Sequence, residues 1–270
     1  MAKDRVGFIG LGDMGEPMTA CILAAGYPVA SCANRSRKAI EALKARGLEE
    51  TAGPAEVGEA ADILITCVLD EGQTDHVLRG PNGALSTLKP GAVVIITSTI
   101  SPTYCQALAV EAAQGGIDVL DCPVSGARPR AEQGTLALIC GGEAGVIERC
   151  RPVLEAMGNI HHCGPVGMGQ VAKLVNQGML YSIIQLIREG RALARAYGME
   201  TDTLMEVLGQ STGNTAVGEN WEMFAANWPH VMKLGKKDID LCIEAARANN
   251  VAIPLMEARR DMSWEMPAES

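Results

Sequence analysis

Short β-type runs, most of them nearly continuously apolar, punctuate the first part of the chain: Val6-Gly-Phe-Ile9, Pro28-Val-Ala-Ser-Cys32, Ile63 to Val68, Ala92 to Thr97, Ile117 to Leu120, Leu136 to Cys140 and Ile160 to Cys163. A strand with one wet face alternates apolar and polar residues, whereas a run apolar at nearly every position belongs to a strand covered on both faces. Helix-like stretches lie between most of these runs, among them Met18 to Ala25, Ser36 to Arg46, Pro102 to Gln114 and Ala144 to Met157. Strands alternating with helices predict a mostly parallel, doubly wound α/β sheet. From Gly169 the strand pattern stops. Val171 to Tyr197 reads as one long helix, apolar around most of its circumference between Met179 and Ile187, and such a helix is expected inside a structure or against a partner subunit. Thr201-Asp202, Asn227-Trp-Pro229 and Ile253-Pro254 mark the joints of shorter helices that follow. The pattern thus predicts an α/β domain over 1–164 and an all-α domain over 165–270, the second carried on a long connecting helix.

Composition narrows the picture. At 270 residues and 47% hydrophobic, the chain can bury substantial cores in one or two domains. Its formal net charge of −9 argues against nucleic acid, which requires a basic footprint. The 9 cysteines include no C-x-x-C pair and read as reduced residues of a cytoplasmic protein. His161 and His162 stand beside Cys163, but adjacent residues on a strand point to opposite faces, so no metal site is expected. Met1 to Arg5 leads almost at once into a strand, so neither a signal peptide nor a membrane span is expected.

The first apolar run ends in Gly10-Leu-Gly12-Asp-Met-Gly15, a GxGxxG between a strand and a helix. The first glycine permits the tight turn, the second lets a pyrophosphate approach the backbone, and the third lets the helix pack on its strand. The helix N-terminus then faces the phosphates, so Gly10, Leu11, Gly12, Asp13, Met14 and Gly15 are the predicted cradle of a dinucleotide in a Rossmann-type domain. The alternative is a glycine-rich turn without a ligand. An NAD site presents an Asp or Glu near the end of the second strand, to accept from the ribose 2′-hydroxyl. Here that place reads Ala33-Asn34-Arg35-Ser36-Arg37-Lys38. Asn34, Arg35 and Ser36 suit a 2′-phosphate, so NADP is favoured over NAD; the competing reading makes these basic residues the exposed first turn of a helix. Ligands of such sheets bind beyond the carboxyl ends of the strands, which places Val68-Leu69-Asp70 and Thr97-Ser98-Thr99 beside the cofactor.

Candidate chemistry lies at the start of the long helix, in Val171-Ala-Lys173-Leu-Val-Asn176. Lys173 and Asn176, at i and i+3, share one helix face, and Lys173 stands among Ala172, Leu174 and Val175 rather than among charges. Burial would lower the pKa of its ammonium and suit it to proton transfer near neutrality. A solvated lysine on an amphipathic helix is the plainer reading.

These features meet in a family. From Val6 to about Pro254 the chain resembles the β-hydroxyacid dehydrogenases, relatives of 3-hydroxyisobutyrate dehydrogenase and tartronate semialdehyde reductase. The matching blocks are Gly7 to Gly15, Ser98-Thr-Ile-Ser-Pro102, Asp121-Cys-Pro-Val-Ser-Gly126 with Gly134-Thr-Leu136, Gly167 to Asn176, and Lys237-Asp238. The resemblance implies NAD(P) and a small anionic hydroxy acid or its semialdehyde. It implies Lys173 as general acid and base, Asn176 orienting substrate or lysine, and Ser125, Gly126 and the Ala127 amide holding the substrate carboxylate. Leu69 and Thr99 are implied to touch the cofactor and Lys237 to close over its nicotinamide. A homodimer or homotetramer is implied as well. The chain departs from the family where Ser-Gly-Gly and further small residues are usual, and reads Ser125-Gly-Ala-Arg128-Pro-Arg130 instead. Either an arginine, Arg128 or Arg130, meets a second anionic group of the substrate, or both face solvent. The C-terminal stretch departs too, with Trp264 and Pro267 where relatives continue helically. Two rival functions are an imine reductase-like enzyme, against which Lys173 argues, and a non-catalytic NADP-binding module. Tyr-x-x-x-Lys, the short-chain dehydrogenase signature, is absent.

Overall fold

The computed structural model of the chain describes residues 3–265. Two compact units divide it at Lys173/Leu174. The first holds a 9-stranded sheet. Its strands are β1 (Val6–Ile9), β2 (Val29–Cys32), β3 (Glu49–Thr51), β4 (Ile63–Thr66), β5 (Val93–Ile96), β6 (Asp118–Asp121), β7 (Val124–Ser125), β8 (Leu136–Gly141) and β9 (Gly158–Gly164). The order is β3-β2-β1-β4-β5-β6-β8-β7, with β9 pairing β8. Every pairing from β3 to β6 is parallel, β8 runs antiparallel to β6 and to β7, and β9 is parallel to β8.

The central strands β1, β4 and β5 have the burial their apolar runs imply, whereas β9 is largely exposed. In β4, Ile63 and Ile65 enter one core and Leu64 the other; in β5, Val93 and Ile95 enter the first and Val94 and Ile96 the second. Each such side chain, fully removed from water, contributes roughly 1.5–3 kcal/mol, so a central strand contributes on both faces at once. Helices cover both faces: α1 (Gly15–Ala24), α2 (Lys38–Lys44), α3 (Pro54–Ala60), α4 (Glu71–Arg79), α5 (Pro102–Gln114), α6 (Ala127–Gln133) and α7 (Ala144–Leu154).

Three local differences from the sequence reading have physical causes. The strand β3, Glu-Glu-Thr, is polar because it lies at the sheet edge, where charged side chains stay partly exposed and guard against edge pairing. The basic stretch after β2 begins its helix at Lys38 rather than Ser36, leaving Asn34 to Arg37 as connection. The segment after Gly126, for which the sequence pattern predicts no helix, is the helix α6, entered through Gly126 at φ 137° and Ala127 at φ 55°. Ala127 therefore adopts a left-handed conformation that costs an L-residue about 1 kcal/mol.

The second unit is helical. The helix α8 (Met168–Ala196) begins in the first unit and continues into the second, followed by α9 (Thr201–Gly209), α10 (Ala216–Glu219), α11 (Trp221–Ala226), α12 (Trp228–Ala248) and α13 (Pro254–Asp261). Tyr181, Ile184, Trp221, Trp228, Ile239 and Ile243 form its core. Long α8 is not apolar all round in its environment: Met179 is 56% and Leu186 55% exposed, so a single chain leaves one stripe of it uncovered. No helix among the described residues is long and apolar enough to cross a membrane. Trp264 is packed on Tyr181 and Arg259, while Pro267 lies outside the described residues.

Candidate functional site

The strand order reverses between β1 and β4, the two strands on either side of the switch point at which doubly wound sheets bind ligands. Beyond β1 the turn Gly10 to Gly15 enters α1. Its glycines have separate reasons. A Cβ on Gly10, which has φ 106°, would strike the carbonyl of Cys67, and one on Gly15 the carbonyl of Gly10, so both are required by the protein itself. A Cβ on Gly12 would meet nothing within 4 Å, so the room kept there is room outside the protein. A dinucleotide pyrophosphate fits that vacated backbone surface at the start of α1.

Beyond β4, Val68 is tied to the end of β5: the Ser98 hydroxyl accepts from Val68 N at 3.1 Å and donates to Val68 O at 2.8 Å. Leu69 is 36% exposed beside it, and Asp70 caps α4 by accepting from Gln73 N at 2.8 Å. Thr99 is half-buried at the same edge. Beyond β2, Asn34, Arg35 and Ser36 are all exposed. Arg37 is committed to Glu41 and Glu50, whereas Arg35 forms no ion pair among the described residues.

The helix α8 starts at this same carboxyl edge. Asp121, the last residue of β6, is fully buried and accepts from Gly167 N at 2.6 Å and from Gln170 N at 2.7 Å. The Gln170 side chain is also fully buried; it donates to Ser98 O at 2.8 Å and accepts from Ile100 N at 3.1 Å, so it brackets Thr99. One turn further along lies Lys173, 7% exposed. Neither Asp121 nor Gln170 was singled out by sequence reasoning, since a polar residue inside an apolar block is identifiable as a buried anchor only once its distant partners are known.

Burial pushes the Asp121 carboxyl up to about 6, against the opposing effect of the backbone N–H groups that favour its ionised form. The folded value thus exceeds the unfolded one, so protonation favours the folded state. This contribution to stability is complete below the ordinary carboxylate range and disappears as pH rises through about 6. Thermal unfolding from pH 7 down to 5 should therefore show a stabilising slope that Asp121→Asn reduces; an unchanged slope in the variant would contradict the raised value.

Ser125 and Gly126 are half-buried at the end of β7, and Ala127 is exposed. Arg128 is half-buried and ion-paired within the protein. Its guanidinium donates to Glu132 Oε1 at 2.8 Å, to the carbonyl and carboxylate of Asp13 at 3.1 and 3.2 Å, and to Glu16 Oε2 at 3.3 Å. It thereby joins α6 to the glycine-rich turn and offsets two carboxylates beside the predicted phosphate cradle. Arg130 is exposed.

In the helical unit, Asn176 and Lys237 are linked through two buried residues. Asn176 Nδ2 donates to Gln177 Oε1 at 3.0 Å, and Gln177 Nε2 donates to Asp238 Oδ2 at 2.5 Å. Lys237 Nζ lies 2.8 Å from Asp238 Oδ1, an ionic contact off the hydrogen-bond direction.

Two family models divide the chain between them. One, the NAD binding domain of 6-phosphogluconate dehydrogenase, matches residues 5–169, and the other, the NAD-binding of NADP-dependent 3-hydroxyisobutyrate dehydrogenase, matches residues 167–270. The chain is 34% identical to 2-(hydroxymethyl)glutarate dehydrogenase of Eubacterium barkeri, over 93% of this chain and 85% of that protein. It is likewise 34% identical to an NAD-dependent L-serine dehydrogenase of Pseudomonas aeruginosa, over 93% and 88%. Among solved structures, 3-hydroxyisobutyrate dehydrogenase of Mycobacterium tuberculosis with L-serine superposes with a TM-score of 0.84 at 30% identity, covering 97% of this chain and 92% of that one. A glycine-rich turn shaped for a dinucleotide, a buried lysine on a helix anchored at the same sheet edge, and these relatives along nearly the whole chain lead to one assignment: the chain belongs to the β-hydroxyacid dehydrogenase family, NAD(P)-dependent oxidoreductases of CH–OH groups.

Proposed function

We propose that the chain is an NADP-dependent enzyme interconverting a small β-hydroxy acid and its semialdehyde, with Lys173 as general acid and base. The observation that carries this reading is the buried Lys173 at the start of α8, in a turn tied directly to the strand ends that follow the glycine-rich turn in the sheet. Bound nicotinamide supplies a hydride in reduction and takes one up in oxidation. Lys173 Nζ donates a proton to the carbonyl oxygen in one direction and accepts the hydroxyl proton in the other. Ser125, Gly126 and the Ala127 amide hold the carboxylate, and Asn176, one turn beyond Lys173 on the same helix, orients the substrate or the lysine. Gly10 to Gly15 hold the pyrophosphate, Val68, Leu69 and Thr99 flank the cofactor, and Lys237 is assigned to its nicotinamide end on the family resemblance. Preference for NADP rests on Asn34, Arg35 and Ser36, of which Arg35 forms no ion pair among the described residues. Nine free cysteines suit a reducing cytoplasm.

NADPH oxidation measured against glyoxylate, succinic, methylmalonic and tartronic semialdehydes and sulfonated aldehydes tests the reading. At least one should be turned over with NADPH preferred to NADH; no turnover across the set would remove the proposed activity.

Of the two loop arginines, Arg130 is the one open to a second anionic group, since Arg128 already serves three protein carboxylates. Arg130→Ala should weaken a dianionic substrate by about tenfold, the value of a charge-assisted contact, and a monoanionic one little. Arg128→Ala should instead raise the Kd for the dinucleotide, because Asp13 and Glu16 then repel its phosphates. Equal losses for both substrates in Arg130→Ala would leave that residue to solvent.

The exposed stripe of α8 is assigned to a second copy of the chain. Val175, Met179, Leu186, Leu193 and Tyr197 are 50–86% exposed and recur at intervals of four and seven, which places them along one seam. Replacing Leu186 and Leu193 together by Glu should reduce the mass by light scattering to that of a monomer. An unchanged oligomer, or a monomeric wild type, would contradict this assignment.

A further inference from the structure

We infer that Asp121 and Gln170 are positioning residues: together they fix the first turn of α8 to the carboxyl ends of β5 and β6, and so set the place of Lys173. The inference rests on the reading of Lys173 as the proton carrier. A helix begins with N–H groups that have no partner within it. Such donors are usually met by a side chain at the cap, but residues 164–169 read Gly-Pro-Val-Gly-Met-Gly and offer no side-chain acceptor. The acceptor is brought from another strand instead. Asp121 receives Gly167 N–H on one oxygen and Gln170 N–H on the other, with Gly169 N–H also turned towards it. The fit is tight, since a Cβ on Gly169 would strike Ile139 O and press on Asp121. A charged carboxylate taken entirely out of water is costly unless its lone pairs are filled, and here backbone donors fill them.

Gln170 adds a second attachment in a different direction. Its amide spans Ser98 O and Ile100 N, the two neighbours of Thr99, and Ser98 in turn holds Val68. An unbroken set of hydrogen bonds therefore runs from the end of β4, through the end of β5, to the turn that precedes Lys173. Attachments to two different strands restrain the first turn of α8 in two directions. A lysine misplaced by about an ångström loses on the order of a hundredfold in rate, so the precision of this anchoring bears on turnover rather than on cofactor affinity.

The test compares Asp121→Asn and Gln170→Ala with wild type, in the full chain, by steady-state kinetics, dinucleotide Kd and amide hydrogen exchange. Each variant should lower kcat by about ten- to a hundredfold while the Kd for NADPH stays within about twofold. Exchange should quicken at Gly167, Gly169 and Gln170 and not in β1 or β4. Combined with Lys173→Ala, Asp121→Asn should lower the residual rate no further, because a residue acting through the lysine has nothing left to position. Wild-type kcat in both single variants, losses that multiply in the double variant, or a Kd that rises in parallel with the fall in kcat would each overturn the inference. Should Asp121→Asn fold poorly, Gln170→Ala, which leaves the carboxylate in place, decides by the same criteria. If Lys173→Ala itself retains most of its activity, the reading of the lysine fails and the inference with it. Unaltered exchange at Gly167 to Gln170 beside an inactive Lys173→Ala would instead refute the anchoring alone.

Discussion

Lys173→Ala is expected to lower kcat by about 10²–10⁴-fold, the usual contribution of general acid catalysis, while NADPH affinity changes by about twofold or less. The asymmetry follows from the division of labour along the sheet edge. The dinucleotide is assigned to the turn Gly10 to Gly15 and to Asn34, Arg35 and Ser36, none of which is supplied by α8. Lys173 is buried on α8, apart from the elements assigned to the dinucleotide, so binding and catalysis should separate cleanly. Arginine at 173 should not restore the rate, since a guanidinium keeps its proton. The pH–rate limb belonging to the lysine should vanish in both variants. Retention of more than about a tenth of wild-type kcat in Lys173→Ala would take the lysine out of the mechanism and reopen the imine reductase-like and non-catalytic readings.

Arg35→Ala should raise the KM for NADPH by about ten- to a hundredfold and that for NADH little, a charge-assisted contact to the 2′-phosphate being worth about 1.5–3 kcal/mol. No carboxylate stands at 33–36 to receive a free 2′-hydroxyl, and the neighbouring Arg37 is drawn away by Glu41 and Glu50. Glu50, the acid on the adjacent edge strand, is held below the usual carboxylate range by Arg37 and Lys44, so it is already paired. One relative along nearly the full length of the chain is an NAD-dependent L-serine dehydrogenase, which makes the comparison of the two cofactors decisive within this family. A wild-type preference for NADH would end the assignment of Asn34, Arg35 and Ser36 to a phosphate.

The sequence made legible those features that repeat or that need one residue type. Runs such as Val93-Val-Ile-Ile96 could only be strands covered on both faces, and they are. Gly10 and Gly15 carry their steric reason in themselves. Length and periodicity gave α8 to within three residues at its start and one at its end. What escaped is set by partners far along the chain. Asp121 and Gln170 are ordinary polar letters until β6 brings one carboxylate to helix donors 46 and 49 residues away. Gln177 is hidden in the same way, its meaning supplied by Asp238 across 61 residues. Glu49 to Thr51 carry no strand pattern because an edge needs none, and Arg128 gained its role from carboxylates at Asp13 and Glu16 that lie 115 and 112 residues before it. The long helix misled in one respect, since an apolar circumference does not say which part of the covering comes from the chain itself.

The most direct test of the whole account is transfer of label from NADPH carrying deuterium at nicotinamide C4, presented with the best semialdehyde of the panel and followed by mass spectrometry of the hydroxy acid formed. Wild type should deliver the deuterium to the carbinol carbon, and Lys173→Ala should deliver almost none over the same interval. No labelled hydroxy acid from any aldehyde of the panel, or equal labelling by the two proteins, would contradict a hydride transfer assisted by Lys173.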